Sequence, residues 1–98
     1  MTELRFEWDE AKERENRRKH RVSFDEAESV FADEWALLID DPEHSDEESR
    51  FILMGISAKL RVLVVVHAYR EAAGIIRIVS ARRADSRERE RYNQRWSR

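Results

Sequence analysis

The stretch "IVSARRADSRERERY" (residues 78–92) ends an apolar run on two adjacent arginines, Arg82 and Arg83, just before a helix signal. Arginine binds phosphate oxygens in pairs through its planar fork. A helix N-terminus beside it presents unpaired N–H groups that also favour anions. At the end of an earlier basic segment, Lys19 stands next to His20, and an imidazole exchanges protons near neutral pH. Tyr92, on the helix that follows the arginines, adds a phenolic hydroxyl. Cleavage of RNA through the ribose 2′-hydroxyl needs a base for that hydroxyl, an acid for the departing oxygen, and cations around the phosphate as charge builds. None of these roles calls for a metal or another cofactor. Lys19, His20, Arg82, Arg83 and Tyr92 are therefore the candidate catalytic set. Each has a plainer alternative. The arginines can pair with Asp85 or Glu88 at the surface, for under about 1 kcal/mol. His20 can sit at a helix C-terminus, where cations are stabilised, and Tyr92 can simply pack.

Other chemistries find little support. His20, His44 and His67 are more than twenty residues apart, so no pair has ligand spacing on one element. There is no glycine-rich phosphate loop and no serine-hydrolase elbow, and without cysteine a thiol nucleophile is excluded. His44 falls in the acidic stretch "DPEHSDEESR", which reads as an exposed loop. His67 lies in an apolar run; alternation puts it on one face with Val65 and Tyr69, as a core or edge residue.

With 98 residues the chain is expected to form a single domain over 1–98. The lack of cysteine suits a reducing cytoplasm, where the protein is expected to act. The opening "MTELRFEWDE" lacks the apolar stretch of a secretory signal. The longest apolar run, Val62 to Val66, is too short to cross a bilayer, so no membrane association is expected. The formal net charge is −2, but the charge is unevenly placed. Asp25 to Glu48 carries eleven acidic residues and no Lys or Arg. Lys12 to Arg21 carries six basic residues against two acidic, and Arg77 to Arg98 eight arginines against three acids. Folding can gather the two basic segments into one polyanion-binding face. Lys12, Arg17, Arg77 and Arg87 of those segments, with Arg50, are the candidate RNA contacts.

The elements that must position these groups are legible locally. Asp9 can cap a helix through Lys19 that is polar nearly all round, with Ala11 toward the core. Ser23 and Glu26 form an S-x-x-E capping box, and Phe24, Ala27, Val30 and Phe31 make a core-facing stripe. Strands are expected at 35–40, 50–56, 61–70 and 75–82; the short breaks between the last three favour an antiparallel meander. Asp85 with Glu88 makes a second capping box for a helix over 85–96. The fold class is α+β: a four-stranded, mainly antiparallel sheet with two N-terminal helices and one C-terminal helix. Arg82 and Arg83 are expected on one side of the sheet edge, beside the N-terminus of the last helix.

The residues also resemble a known family. "FEWDEAK" (6–12), Asn16, "KH" (19–20), "VSFDEA" (22–27), "VF" (30–31), Glu48 with Arg50, Gly55 and "IRIVSARRA" (76–84) are similar in order and spacing to the BrnT family of ribonuclease toxins. The resemblance runs from about Phe6 to Tyr92. It implies a RelE-like fold, metal-independent RNA cleavage, inhibited translation, and neutralisation by a BrnA-type ribbon-helix-helix antitoxin. Operator DNA would then be bound only through the antitoxin, and a toxin–antitoxin heterotetramer follows from the dimeric character of such antitoxins. The chain departs from the family pattern at Arg21, where glycine is usual after "KH", and at Glu34, where proline is usual. A left-handed backbone at Arg21 would cost about 1 kcal/mol. The rival functions are a non-catalytic nucleic-acid-binding module on the same basic face, or a protein-interaction module.

Overall fold

One edge of the last strand is only partly covered by a neighbouring strand, and the rest of the architecture is arranged around that edge. The computed structural model describes residues 4–40 and 50–96. His44 falls outside these residues.

The chain runs β1 (Arg5–Glu7), α1 (Glu10–His20), α2 (Phe24–Ser29) with a 3-10 turn at Val30–Ala32, then β2 (Leu37–Asp40), β3 (Arg50–Ile56), β4 (Val62–Arg70), β5 (Ile75–Arg83) and α3 (Ser86–Asn93). The strands form one sheet in the order β1-β5-β4-β3-β2. The β2–β3, β3–β4 and β4–β5 pairs are antiparallel, the meander that the short breaks predict. The sheet has five strands rather than the expected four. The extra one, β1, is only three residues long and pairs in parallel with the start of β5. Three residues are too few to show alternation, and their partner lies at the other end of the chain.

The sheet is covered on both faces. On one, Leu53, Leu63, Val65, Ile78 and Ala81 pack against Val22, Phe24, Ala27 and Val30 of the α2 region. On the other, Met54 and Val64 meet Ala84 and Tyr92 of the α3 region. His67 is 3% exposed in the first face, its ring 4.8 Å from that of Phe31. Burial pushes its pKa below the ordinary value. This is the core histidine that alternation predicts. Among the described residues no helix is long and apolar enough to cross a membrane.

Beyond Arg77, β5 has no strand on its outer side, and α1 takes that place. This explains a helix that is polar all round. The side chains α1 turns inward are polar because unpaired backbone groups need partners: of its buried residues Glu13 and Asn16, Asn16 meets the strand edge, and Glu13 accepts from the Phe24 amide at the start of α2. Ala11, expected toward the core, is exposed. The Ser23 hydroxyl accepts from the Glu26 amide at 3.1 Å, but the reciprocal half of that capping box is missing. The Glu26 carboxylate instead lies buried and accepts from Ser57 Oγ at 2.7 Å and Arg61 Nε at 3.0 Å, fastening α2 to the β3–β4 hairpin. Burial opposes its ionisation, yet those hydrogen bonds prevail and hold its pKa below the usual value.

A second acidic residue, Asp33, ties α3 to the sheet. Its Oδ2 accepts from Ile56 N at 2.8 Å and from Tyr92 Oη at 2.6 Å. Gly55 makes room for it, since an added Cβ would stand 2.8 Å from Asp33 Oδ2 and 2.9 Å from Ala36 Cβ.

Candidate active site

Asn16 holds the two halves of the site together. Its carboxamide treats the β5 edge as a second strand would: Nδ2 donates to Ala81 O at 2.8 Å, and Oδ1 accepts from Ala81 N at 3.0 Å. The same Nδ2 donates to Val22 O at 2.9 Å, which locks the chain leaving α1. Three residues after Asn16 come Lys19 and His20; one residue after Ala81 come Arg82 and Arg83. One buried side chain therefore sets the position of both groups. The β4–β5 register shifts between Val66 and His67, with Ser80 opposite Val66 and Ile78 opposite His67, so Val79 is an extra residue in β5. Such a bulge bends and twists the strand, just before the segment that reaches α1.

The α1 helix ends at His20, and Arg21 takes the left-handed conformation (φ 59°, ψ 33°) despite its side chain. The Arg21 amide donates to Arg17 O at 2.9 Å, and its carbonyl accepts from Arg61 Nη2 at 3.2 Å. The departure from glycine thus leaves the turn after His20 in place.

Lys19, His20, Arg82, Arg83, Ala84 and Arg89 line one cleft of about 530 Å³. A narrower groove of about 210 Å³ continues from it along α1, past Lys12, Asn16, Val79 and Ser80. Arg82 and Arg83 reach the cleft from opposite faces of β5, not from one side: Arg82 stands opposite Val64 and Arg83 opposite Leu63. Strand alternation requires this, and the strand end lets both line the opening. Arg82 donates from Nη1 and Nη2 to the two oxygens of Glu88 at 2.8 and 2.9 Å. Among the described residues Arg83 has no carboxylate partner; the cations of the cleft are not all neutralised.

Glu88 is the most heavily used carboxylate here. The Asp85–Glu88 capping box is complete in both directions, and Glu88 Oε1 accepts from Asp85 N at 2.9 Å as well as from Arg82. Chiefly through the Arg82 hydrogen bond, its carboxyl is held down to about 2 from an ordinary 4.5. A carboxyl whose folded pKa is depressed stabilises the fold above its unfolded value and loses that contribution as pH falls. The stability gap between the natural protein and Glu88→Gln should therefore be constant above pH 4.5 and narrow from there toward about 2. Denaturant melts at matched pH check this; a gap unchanged down to pH 2 would mean that the pair contributes nothing net.

Of the other candidates, Lys12 lines the groove beside α1. Arg17 pairs with Glu13 at 3.0 Å. Arg77 and Arg50 both lie opposite Ala68 across β4, away from the cleft. Arg87 is exposed on α3 and does not line the cleft. Tyr92 is 2% exposed with its hydroxyl on Asp33, so the structure buries it rather than bringing it to the arginines. Arg89 was missed. It lines the cleft and donates to Ala84 O at 2.8 Å. Its signal was present in its place in the opening turns of a helix whose N-terminus already adjoined the arginine pair. Among the described residues no group of three or more His, Asp and Glu could hold a metal ion.

Comparison with known proteins agrees with this arrangement. Residues 8–88 match the family described as "Ribonuclease toxin, BrnT, of type II toxin-antitoxin system". No curated protein matches the chain. Among solved structures, the Brucella abortus ribonuclease toxin BrnT superposes with a TM-score of 0.63 at 21% identity, covering 86% of this chain and all of that one. That likeness shows the same α+β fold, and the family match covers α1 and β5, which carry Lys19, His20, Arg82 and Arg83, but stops before Arg89. The chain belongs to the BrnT family of ribonuclease toxins of type II toxin–antitoxin systems, RNA-cleaving enzymes that act on RNA and answer to an antitoxin.

Proposed function

We propose that the cleft between α1 and the end of β5 is where RNA is cleaved, by transfer of the phosphate to the neighbouring ribose 2′-oxygen. The observation that carries this is the convergence of Lys19, His20, Arg82, Arg83 and Arg89 on one opening. In the step itself the 2′-hydroxyl loses its proton to a base and its oxygen bonds to phosphorus. The bond from phosphorus to the 5′-oxygen breaks, and that oxygen takes a proton from an acid. The products are a 2′,3′-cyclic phosphate and a 5′-hydroxyl. His20 is the cleft's one side chain of a type that takes and returns protons near neutral pH. Arg82, Arg83 and Arg89 surround the phosphate as its charge grows, and Lys19 and Lys12 guide the strand in.

The test is cleavage of a defined RNA by the purified protein in excess chelator. Cyclic phosphate ends are expected, with no cut where the nucleotide 5′ of the scissile bond lacks its 2′-hydroxyl. Cleavage of that deoxy-substituted RNA, or 3′-hydroxyl products, would overturn the reading. His20→Gln separates chemistry from helix capping: activity lost at unchanged melting temperature supports proton transfer, and both lost together supports the cap.

The antitoxin of this chain is proposed to be a BrnA-type ribbon-helix-helix protein that covers the basic cleft in a two-plus-two heterotetramer. The support is the family and the exposed cations, which an acidic segment folding on binding would complement. Light scattering on the co-expressed pair, with and without RNA, checks both stoichiometry and exclusion.

A further inference from the structure

The α3 helix starts at the cleft and ends at a second opening of different chemistry. Arg82 and Glu88 anchor its first turn. Past its end, Arg95 Nη1 donates to Ala36 O at 3.1 Å, just ahead of β2. There Trp35, Leu37, Arg91, Gln94 and Arg95 line a groove of about 460 Å³. Trp35 is 44% exposed at this groove. Neither Arg91 nor Arg95 has a carboxylate partner among the described residues. The Ala36 carbonyl occupies one N–H of Arg95, which fixes the guanidinium at the groove and leaves the rest of its five-donor fork for a ligand.

We propose that this groove is a second RNA subsite, where a base stacks on Trp35 while Arg91 and Arg95 hold the adjoining phosphate. An aromatic face combined with cations that follow the backbone is how single-stranded nucleic acid is held without regard to sequence. The path from the cleft is short. The residues from Ser86 to Trp96 span roughly 12–16 Å at helical rise. Arg87 and Arg91 stand four residues apart on one side of α3, and Arg95 follows in the 3-10 turn Gln94–Trp96. Of the two glutamates in α3, Glu88 is held by Arg82 and Glu90 is exposed. Beside Trp35 in the chain, Glu34 is exposed, and the oxygens of Asp33 accept from Trp35 N, Ile56 N and Tyr92 Oη. The proposal rests on RNA reacting in the cleft; the groove then binds nucleotides beyond the scissile one and makes the enzyme favour longer strands.

The experiment compares a dinucleotide with an RNA of a dozen or so nucleotides, using Trp35→Ala and the double variant Arg91→Gln/Arg95→Gln. Affinity is read on the same longer RNA carrying a 2′-O-methyl group at the cut. Expected are unchanged kcat and KM on the dinucleotide and a KM on the longer RNA raised about tenfold. Trp35→Phe should restore most of it. Arg83→Ala, run beside them, should slow cleavage of both substrates about a hundredfold or more; if it slows neither, the cleft assignment fails, while the affinity data still decide the subsite. Equal effects on both substrates with a lowered melting temperature would make the groove structural and overturn the proposal. Unchanged RNA affinity overturns it too. If the variants instead weaken binding of the co-expressed antitoxin, the groove takes an acidic protein segment rather than RNA.

Discussion

Arg83→Ala is expected to lower the rate of RNA cleavage by about two to three orders of magnitude and to leave the melting temperature in place. Its side chain is exposed at the cleft and makes no carboxylate pair among the described residues, so removing it costs the fold little. With RNA in the proposed cleft, the change removes a charge that would face the phosphate as its charge grows, and losing one such donor costs about 2.7–4 kcal/mol in other enzymes. At about 1.4 kcal/mol per tenfold, that is the stated range. Arg82→Ala should fall at least as far, for an additional reason. Glu88 loses its partner and leaves a bare carboxylate beside the phosphate, where like charges repel. Adding Glu88→Gln to Arg82→Ala should then recover part of the rate. Lys19→Ala should cost less, and its effect should shrink as salt rises. Single-turnover rates on one RNA at two ionic strengths distinguish these. Full activity in Arg82→Ala and Arg83→Ala alike would refute the site.

Asn16→Ala should be the most destabilising change near the cleft, at about 3–4 kcal/mol. The deletion strips partners from Ala81 N, Ala81 O and Val22 O, all at or near a buried position. A buried polar group left unpaired costs about 1–3 kcal/mol; water entering the gap keeps the total below the simple sum. Asn16→Asp is the sharper test because it preserves shape. It still accepts from Ala81 N, but it turns two donated hydrogen bonds into contacts between a carboxylate and carbonyl oxygens. Urea melts give the stability, and activity per folded molecule gives the positioning effect. Because Lys19–His20 and Arg82–Arg83 are registered through this residue, cleavage should fall further than the folded fraction. Activity that simply tracks the folded fraction would show that the clamp stabilises without positioning.

What could be read locally was settled by the chain's own order of residues. The Asp85–Glu88 box, the Asp9 and Ser23 caps, the hairpins from β3 to β5 and the side of the sheet that His67 takes all depend on neighbours a few positions apart. Hydrogen-bonding geometry over a turn or a pleat is enough to decide them. The family resemblance, with its "KH" and "SARRA" segments, likewise sits in short runs, and it pointed to the residues that line the cleft.

Only the tertiary structure decided how those runs meet. The parallel β1–β5 pair, the Asp33–Tyr92 hydrogen bond and the Asn16–Ala81 clamp each join groups far apart in the chain. Nothing in the spacing of Glu13 and Asn16 says that Asn16 meets an open strand edge and Glu13 the first amide of α2, so α1 reads as polar all round until those partners are seen. Tyr92 could pass for an acid or base until its hydroxyl is found on Asp33, and Arg89 for one of several surface arginines until α3 is laid across the sheet. The physical reason is the same in each case. A polar side chain takes the role of whatever unpaired group it meets, and that group is supplied by chain folding rather than by its neighbours in sequence.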